Sequence, residues 1–280
     1  MQERKVIQQI QGFRAQDGAG VSLVRVLGRD TIYDFDPFLM LDSFDSTDPR
    51  EYRAGFPTHP HRGIETVSFI AKGNITHTDH LGTNKTIYDG EAQWLTAGSG
   101  AFHSEHPGGD SLLGLQLWLN IPKAYKMTAP PAYHGITKEE IQEFPFEGGK
   151  LRLITGDYKE HKGWQGKYTP LDYYDIHLEP NAKVTLDVKE GNTVMVFTLL
   201  GDAVVGGTQV KTKTAARLSD GNSVTIETGK EGAQIMLMSA PPTGDRIAWY
   251  GPIVMNSDSE IRTAVRELNE GTFLKHDTAY

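Results

Sequence analysis

The sequence predicts an all-β fold made of two tandem β-barrels, with one short helix near the C-terminus. Short runs rich in Val, Ile, Thr, Tyr and Phe alternate with Gly, Asp and Asn clusters, which is typical of many short strands joined by turns. Two pairs of segments resemble each other across the two halves of the chain. One convincing helical pattern follows residue 256.

The repeated segments indicate that one β unit occurs twice. TVSFIAKGN (66–74) aligns with VMVFTLLGD (194–202), and DGEAQWLTAG (89–98) aligns with DGNSVTIETG (220–229). Repetition at such a long period predicts two similar domains in tandem. The clearest strand patterns are ETVSFIA (65–71), SLLGLQLWLN (111–120), KVTLDV (183–188), TVMVFTLL (193–200) and AQIMLMSA (233–240).

A connector separates the two halves. Residues 121–149 have an irregular composition and include the pair Pro130-Pro131, which favours a loop over a strand. We therefore predict an N-terminal barrel over residues 1–125 and a C-terminal barrel over residues 126–280 that carries the closing helix. The two terminal segments are free to cross between the barrels.

The closing helix has both a start and a stop signal. Ser257 and Glu260 have the spacing of a capping box, and Gly271 is placed to end the helix. Between these signals one face of the helix is apolar and suited to packing on a barrel. This face consists of Ile261, Ala264, Val265 and Leu268.

Composition excludes several functional classes. The chain has 28 Lys and Arg against 36 Asp and Glu, a formal net charge of −8, so we expect no direct binding to nucleic acid. The absence of cysteine excludes disulfides, thiolate metal sites, Cys nucleophiles and iron–sulfur clusters, so any bound metal must use nitrogen and oxygen ligands. The N-terminal segment MQERKVIQQI lacks the apolar core of a signal peptide, and no apolar stretch is long enough to span a bilayer. We expect a cytoplasmic protein with no membrane partner.

Two short segments carry the chemistry: FPTHPHRGIE (56–65) and GSGAFHSEH (98–106). Each contains a pair at i, i+2, and residues two apart on a strand share a face. His59 and His61 form one such pair, and His103 and Glu105 form the other. If both segments are strands facing the interior of one barrel, three imidazoles and a carboxylate converge on a metal site. Such donors suit iron, zinc, copper, nickel or manganese and leave coordination positions open for water, dioxygen or substrate.

The second barrel is expected to be free of metal. In the two alignments, the positions of the four predicted ligands fall on residues that do not form a ligand set: Asp187, Lys189, Gln234 and Met236. An apolar interior can stabilise such a barrel without an ion.

The role of several neighbouring residues stays open at this stage. Glu65 lies four residues after His61 on the same predicted strand face, as a fifth ligand or as an acid that orients the ligating imidazoles. His77, His80 and His106 follow a spacing of three, which does not keep a strand face, so we expect them at the rim or surface. His106 is the first candidate for an exception, because it lies beside the site in the sequence. Arg62 is expected to point outward. Five aromatic residues near the ligands either form the walls of a substrate pocket or pack in the core: Tyr52, Phe56, Trp94, Phe102 and Trp118.

These motifs resemble those of the pirins, a family of two-barrel proteins in the cupin superfamily. The similarity covers nearly the whole chain and is most specific in AGFPTHPHRGIETVSFI (54–70) and DGEAQWLTAGSGAFHSEHP (89–107), with further matches in DFDPFLMLDSF (34–44), LQLWLNIP (115–122) and GPIVMNSDSEIRTAV (251–265). The resemblance implies one divalent metal ion, with Fe(II) favoured over zinc, copper, nickel or manganese. It implies His59, His61, His103 and Glu105 as ligands, with Glu65 outside the ligand set.

The resemblance also implies two functions. Some pirins are similar to quercetin 2,3-dioxygenases, oxidoreductases in which a flavonol binds the metal through its 3-hydroxyl group and dioxygen opens the heterocycle with release of carbon monoxide. In that case Glu105 is the expected catalytic base. The alternative is an iron-dependent, redox-sensitive regulatory protein that binds a transcription factor or a metabolic enzyme. A flavonol and dioxygen are the expected partners in the first case, and a regulatory protein in the second.

Overall fold

The computed structural model describes residues 2–276, which form two compact units. The N-terminal barrel comprises residues 14–32, 38–136 and 243–276, and the C-terminal barrel comprises residues 2–13, 33–37 and 137–242. These units differ from the two continuous segments predicted at 1–125 and 126–280. The first strand of the chain adds to the edge of the C-terminal barrel, and the closing helix belongs to the N-terminal barrel.

The described chain is built mainly of strands. In chain order the first ten are β1 Val6–Gln11, β2 Phe13–Asp17, β3 Val21–Leu27, β4 Phe38–Ser46, β5 Phe56–His61, β6 Ile64–Asp79, β7 Asn84–Ile87, β8 Glu91–Thr96, β9 Ala101–Asn120 and β10 Ala132–Ile136. The remaining strands are β11 Gln142–Phe146, β12 Gly149–Thr155, β13 Asp157–Tyr158, β14 His161–Lys162, β15 Asp172–Leu178, β16 Lys183–Asp187, β17 Thr193–Leu200, β18 Ala203–Val205, β19 Thr208–Val210, β20 Thr214–Leu218, β21 Ser223–Glu227, β22 Ala233–Ala240, β23 Ala248–Tyr250 and β24 Ile253–Met255. The α-helix α1 spans Asp258–Glu270, and short 3-10 helices lie at Arg29–Thr31 and Pro49–Glu51.

The C-terminal barrel consists of two main sheets around an apolar core. One sheet has the strand order β1-β20-β17-β22-β15-β12-β11, and the other has the order β16-β21-β18-β19. Side chains from both sheets form one buried cluster, represented by Val196 and Leu237 of the larger sheet and Val224 and Ile226 of the smaller one. This burial explains why the strands of this half have strongly apolar sequences.

The N-terminal barrel is organised around the long strand β9. Its main sheet has the order β10-β8-β6-β9-β4-β3-β2, with β5 also pairing with β9 and β7 with β6. The two ends of β9 have different partners: residues 101–105 pair with β5, and residues 112–119 pair with β4. Residues 103–120 of β9 also run antiparallel to β6. The long β6–β9 ladder therefore places residues far apart in sequence side by side.

The first of the two predicted repeats matches equivalent strands. β6 lies between β8 and β9, and β17 lies between β20 and β22, so each is a central strand of its barrel. The second alignment relates β8 to β21, and these strands are not equivalent, because β8 lies beside β6 whereas β21 lies in the smaller sheet. Both segments follow a turn and precede a long strand, which explains their similar sequences.

The predicted helix signals are confirmed. The Ser257 side chain accepts a hydrogen bond from the backbone N–H of Glu260, and Gly271 ends the helix with a φ of 70°. Ile261, Ala264 and Leu268 of the predicted apolar face belong to a cluster that also contains Met255 and Phe273. Between residues 2 and 276, no helix has the length and apolar character needed to cross a bilayer.

Candidate metal centre

Three of the predicted ligands meet at one point on the interior of the N-terminal barrel. His59 on β5 pairs directly with His103 on β9, and His61 lies two residues further along the same face of β5. The Nε2 atom of His59 is 3.0 Å from Nε2 of His61 and 3.0 Å from Nε2 of His103. We call these residues the three-histidine cluster. The strand alternation proposed from the sequence is the geometry that brings them together.

The surroundings of the cluster fix which ring nitrogens carry hydrogen. Nδ1 of His59 lies 2.8 Å from the carbonyl oxygen of Pro57, and Nδ1 of His61 lies 3.0 Å from that of Pro252. A carbonyl only accepts, so each Nδ1 donates, and a neutral imidazole then has a lone pair on Nε2. Two such lone pairs face each other 3.0 Å apart. They repel unless a cation lies between them, and nitrogen ligands bind transition metals at about 2.0–2.1 Å, so this donor set fits one divalent ion.

Burial keeps two of the three imidazoles in the form that binds metal. His61 and His103 are each 1% exposed. Burial, followed by the neighbouring His59, lowers the pKa of His61 to about 3. Burial, followed by the other histidines, also lowers the pKa of His103. Both rings are therefore neutral near pH 7, as metal ligation requires.

Glu105 lies beside this cluster in a second, overlapping group. Its carboxylate lies within 4.8 Å of ring nitrogens of His77 and His103. Oε1 accepts a hydrogen bond of 2.6 Å from Gln93, and Oε2 accepts one of 3.3 Å from Gln116. Burial raises the pKa of Glu105, partly offset by the nearby histidines. The structure thus brings three predicted ligands together directly and places the fourth next to them, held by neutral donors.

Glu65, which the resemblance places outside the ligand set, is fully buried. Its Oε1 accepts hydrogen bonds from Trp94 Nε1 at 3.1 Å and from Thr96 Oγ1 at 2.7 Å. The Nδ1 atoms of His59 and His61 are held instead by backbone carbonyl groups. Glu65 links β6 to β8 in the same sheet.

The sequence interpretation missed His77. We expected this residue at the rim, but it is completely buried and its Nδ1 lies 3.2 Å from Nδ1 of His103. Its Nε2 lies 3.0 Å from Oδ2 of Asp79, and its ring stacks on Tyr133 with the centroids 4.3 Å apart. The signal was present, because His77 and Asp79 form another i, i+2 pair. We overlooked this pair because His77 lies three residues from His80, a spacing that does not keep a strand face.

The other two histidines of that group differ from His77. His106 is exposed, so the exception among the three is His77 and not His106. His80 is half-buried, with its Nε2 3.1 Å from the carbonyl oxygen of His276. Neither belongs to the groups of potential ligands found among residues 2–276.

Arg62 does not point outward, contrary to our expectation. It is 1% exposed and donates to the carbonyl oxygens of Ser99 at 2.7 Å and Phe273 at 2.6 Å. Its guanidinium also lies 2.7 Å from the carboxylate of Glu267 on α1. Although burial opposes ionisation, hydrogen bonds from Lys275 and Arg62 lower the pKa of Glu267. Arg62 therefore anchors the helix and the C-terminal segment to the end of β5, next to His61.

A cavity of about 650 Å³ opens onto the cluster. His59, His61 and Glu105 lie on its wall, together with Trp118 and Trp249. The ring of His61 packs edge-on against Trp118, with the centroids 5.0 Å apart. The volume is within the usual range for small-molecule sites, about 300–1,000 Å³, so a ligand of moderate size can reach the imidazoles.

The five aromatic residues singled out in the sequence divide between the two expected roles. Phe56 and Trp118 line the cavity. Tyr52 and Trp94 are buried, and Phe102 packs against Phe273. Trp249 was not anticipated, because it follows the histidine motifs by more than 140 residues in the sequence.

Comparison with known proteins agrees with this architecture. The Pirin family model matches residues 20–119, and the model of the Pirin C-terminal cupin domain matches residues 173–274. The chain belongs to the pirin family. The resemblance found in the motifs is thereby confirmed.

Several pirin relatives align over almost their whole length. Human Pirin is 33% identical over 269 residues, covering 94% of this chain and 91% of its own. A pirin-like protein of Caulobacter vibrioides is 33% identical over 281 residues, covering 98% and 100%. A crystal structure of quercetin 2,3-dioxygenase from Acinetobacter baumannii superposes with a TM-score of 0.88 at 32% identity, covering 97% of this chain and 98% of that one. The predicted fold of two cupin barrels is confirmed.

Proposed function

We propose that this pirin is a metal-dependent dioxygenase that opens the heterocyclic ring of flavonols such as quercetin. The observation that carries the proposal is the convergence of three imidazoles, two of which line a cavity whose wall also contains Glu105. The structural similarity to a quercetin 2,3-dioxygenase supports the choice of substrate class.

His59, His61 and His103 would hold one divalent ion, Fe(II) in our proposal, with Glu105 as the fourth ligand. The ion would polarise the substrate oxygen bound to it and bring the flavonol and dioxygen together. The protein would supply neutral imidazoles whose Nδ1 hydrogen bonds keep Nε2 available. It would also supply a carboxylate whose position is fixed by Gln93 and Gln116.

Glu105 is the group that we propose as the proton acceptor for the flavonol 3-hydroxyl. The other acidic residues described on the cavity wall are Asp17 and Asp42, and both form ion pairs of 2.7 Å with Arg25. Glu105 instead receives hydrogen bonds from neutral amides and from Ser68. A carboxylate without a bound cationic side chain is the better general base, provided that the substrate hydroxyl comes within hydrogen-bond reach.

The walls of the cavity suit a planar, polyhydroxylated ring system. The rings of Trp118 and Trp249 lie 5.8 Å apart between centroids and provide flat apolar surfaces. Arg25 and Arg29 line the same cavity, and the Arg29 guanidinium lies 5.8 Å from the centre of the Trp249 ring. These cations can donate to phenolic oxygens at the edge of a bound flavonol.

Oxygen uptake tests the proposal directly. Protein loaded with Fe(II) should consume dioxygen in the presence of quercetin, release carbon monoxide and bleach the flavonol absorption. Luteolin has the same ring system without the 3-hydroxyl and should be inert, because it lacks both the metal-binding oxygen and the proton that Glu105 would accept. No uptake with several flavonols, combined with capture of one defined protein only when the iron is oxidised, would favour the regulatory function instead.

A further inference from the structure

A chain of buried polar groups lies behind the three-histidine cluster. Oδ2 of Asp79 lies 3.0 Å from Nε2 of His77, and Nδ1 of His77 lies 3.2 Å from Nδ1 of His103. All three residues are buried. They lie side by side because the β6–β9 ladder pairs Asp79 with His103.

The partners of Asp79 set the direction of the hydrogen bonds. Its Oδ1 accepts from the backbone N–H groups of Leu81 at 2.9 Å and Thr83 at 3.0 Å, which leaves Oδ2 to accept from His77. Nε2 of His77 therefore carries the hydrogen, and a neutral imidazole has only one N–H. Nδ1 of His77 is then an acceptor, so Nδ1 of His103 must donate to it.

We propose that His77, held by Asp79, is the positioning residue that fixes His103 in the tautomer whose Nε2 binds the metal. The proposal rests on the metal site put forward above, and it does not depend on the reaction catalysed there. It gives His103 the same arrangement as His59 and His61, in which Nδ1 donates to a fixed acceptor and Nε2 faces the cluster. For His103 the acceptor is a side chain rather than a backbone carbonyl.

A competing assignment is that His77 itself binds a second ion with His103 and Glu105. The contacts favour the positioning role. The N–H···carboxylate contact with Asp79 and the stack on Tyr133 hold the His77 ring from two sides. Tyr133 in turn donates to Gln93 at 3.1 Å, and Gln93 donates to Glu105, so the group already has internal hydrogen bonds.

Three variants separate an acceptor role from a packing role. His77→Phe keeps a ring to stack on Tyr133 but removes the acceptor. His77→Asn restores an acceptor, since the side-chain oxygen of Asn lies close to the place of Nδ1. His106→Asn changes an exposed histidine on the same strand as His103 and serves as the control.

The readout is the affinity for Co(II), measured by competition with a chelator, together with the visible spectrum of the Co(II) protein. We expect His77→Phe to bind about 10–100-fold more weakly, the usual effect of losing a group that orients a ligand, with an altered spectrum. His77→Asn and His106→Asn should remain close to wild type. Equal affinity and spectrum for His77→Phe would overturn the proposal, as would equal weakening in a folded His77→Asn.

Nitrogen NMR of the wild-type histidines gives a test that needs no variant. We expect the ring N–H of His103 to be on Nδ1 and that of His77 to be on Nε2. The opposite tautomers would refute the proposal. Two Co(II) ions per chain would also refute it, because His77 would then be a ligand. Wild-type protein that binds one ion but leaves quercetin unchanged contradicts the proposed function only. Protein that binds no divalent ion contradicts both.

Discussion

Replacing Arg62 by Met tests whether this side chain, which follows His61 in the sequence, anchors the C-terminal helix. Methionine has a similar length and keeps apolar packing under the Phe273 ring, whose centre lies 4.1 Å from the guanidinium carbon. The substitution therefore removes mainly the polar contacts of a side chain that is 1% exposed.

The size of the effect follows from these contacts. Hydrogen bonds to charged groups contribute about 1.5–3 kcal/mol each, and Arg62 donates two of them to backbone carbonyl groups. The ion pair with Glu267 adds less, because Lys275 remains 2.9 Å from that carboxylate after the substitution. We expect the free energy of unfolding to fall by about 3–5 kcal/mol, as for other buried pairs that lose one partner.

Urea unfolding followed by tryptophan fluorescence measures this loss, and hydrogen exchange shows where it occurs. Protection should decrease in α1 and in the N-terminal barrel before it changes in the C-terminal barrel. Arg266→Met is the matched control, because Arg266 lies on the same helix, is 64% exposed and has only a 3.9 Å contact with Glu270; its effect should stay within about 0.5 kcal/mol. If the two variants have the same stability, the anchoring role of Arg62 is wrong.

Three further predictions concern the metal centre and the loop between β8 and β9, which contains Gly98. Alanine at any member of the three-histidine cluster should remove most of the bound metal, measured by elemental analysis, whereas Asp187→Ala should not; full occupancy in all three variants would contradict the site. Glu105→Gln should lower oxygen uptake more than stability, and Glu65→Gln should affect metal content less; the reverse order of metal loss would mean that the carboxylate ligand was misassigned. Gly98→Ala should destabilise the fold by at least about 1–3 kcal/mol in a thermal melt, because φ is +51° and the new Cβ would lie 2.1 Å from the carbonyl oxygen of Ala129. An unchanged melting temperature would show that the loop shifts without strain.

Local sequence patterns predicted the features that depend on one segment or on one pair of strands. His59 and His61 share a face because side chains alternate along β5. The helix begins at Ser257 and ends at Gly271 because its capping groups are local. The specificity of the histidine motifs was sufficient to identify the family, which the family models confirm.

Domain boundaries were harder to predict from the sequence, because they depend on which edge or surface a terminal segment joins. β1 has the alternating pattern of any edge strand, and only the hydrogen bonds to β20 assign it to the C-terminal barrel. The helix pattern likewise shows an apolar face but not the surface that covers it. Contacts with Met255 and Phe273 assign it to the N-terminal barrel.

The sequence by itself determined an all-β pirin with three histidines aimed at one point, because alternation and capping act over a few residues. Only the tertiary structure decided which groups surround them. His77 reaches His103 through the register of the β6–β9 ladder, Pro252 orients His61 across 191 positions of the chain, and Arg62 pairs with the distant Glu267. Such contacts join segments far apart in sequence, and a pattern within one segment has no information about its partner across the sheet.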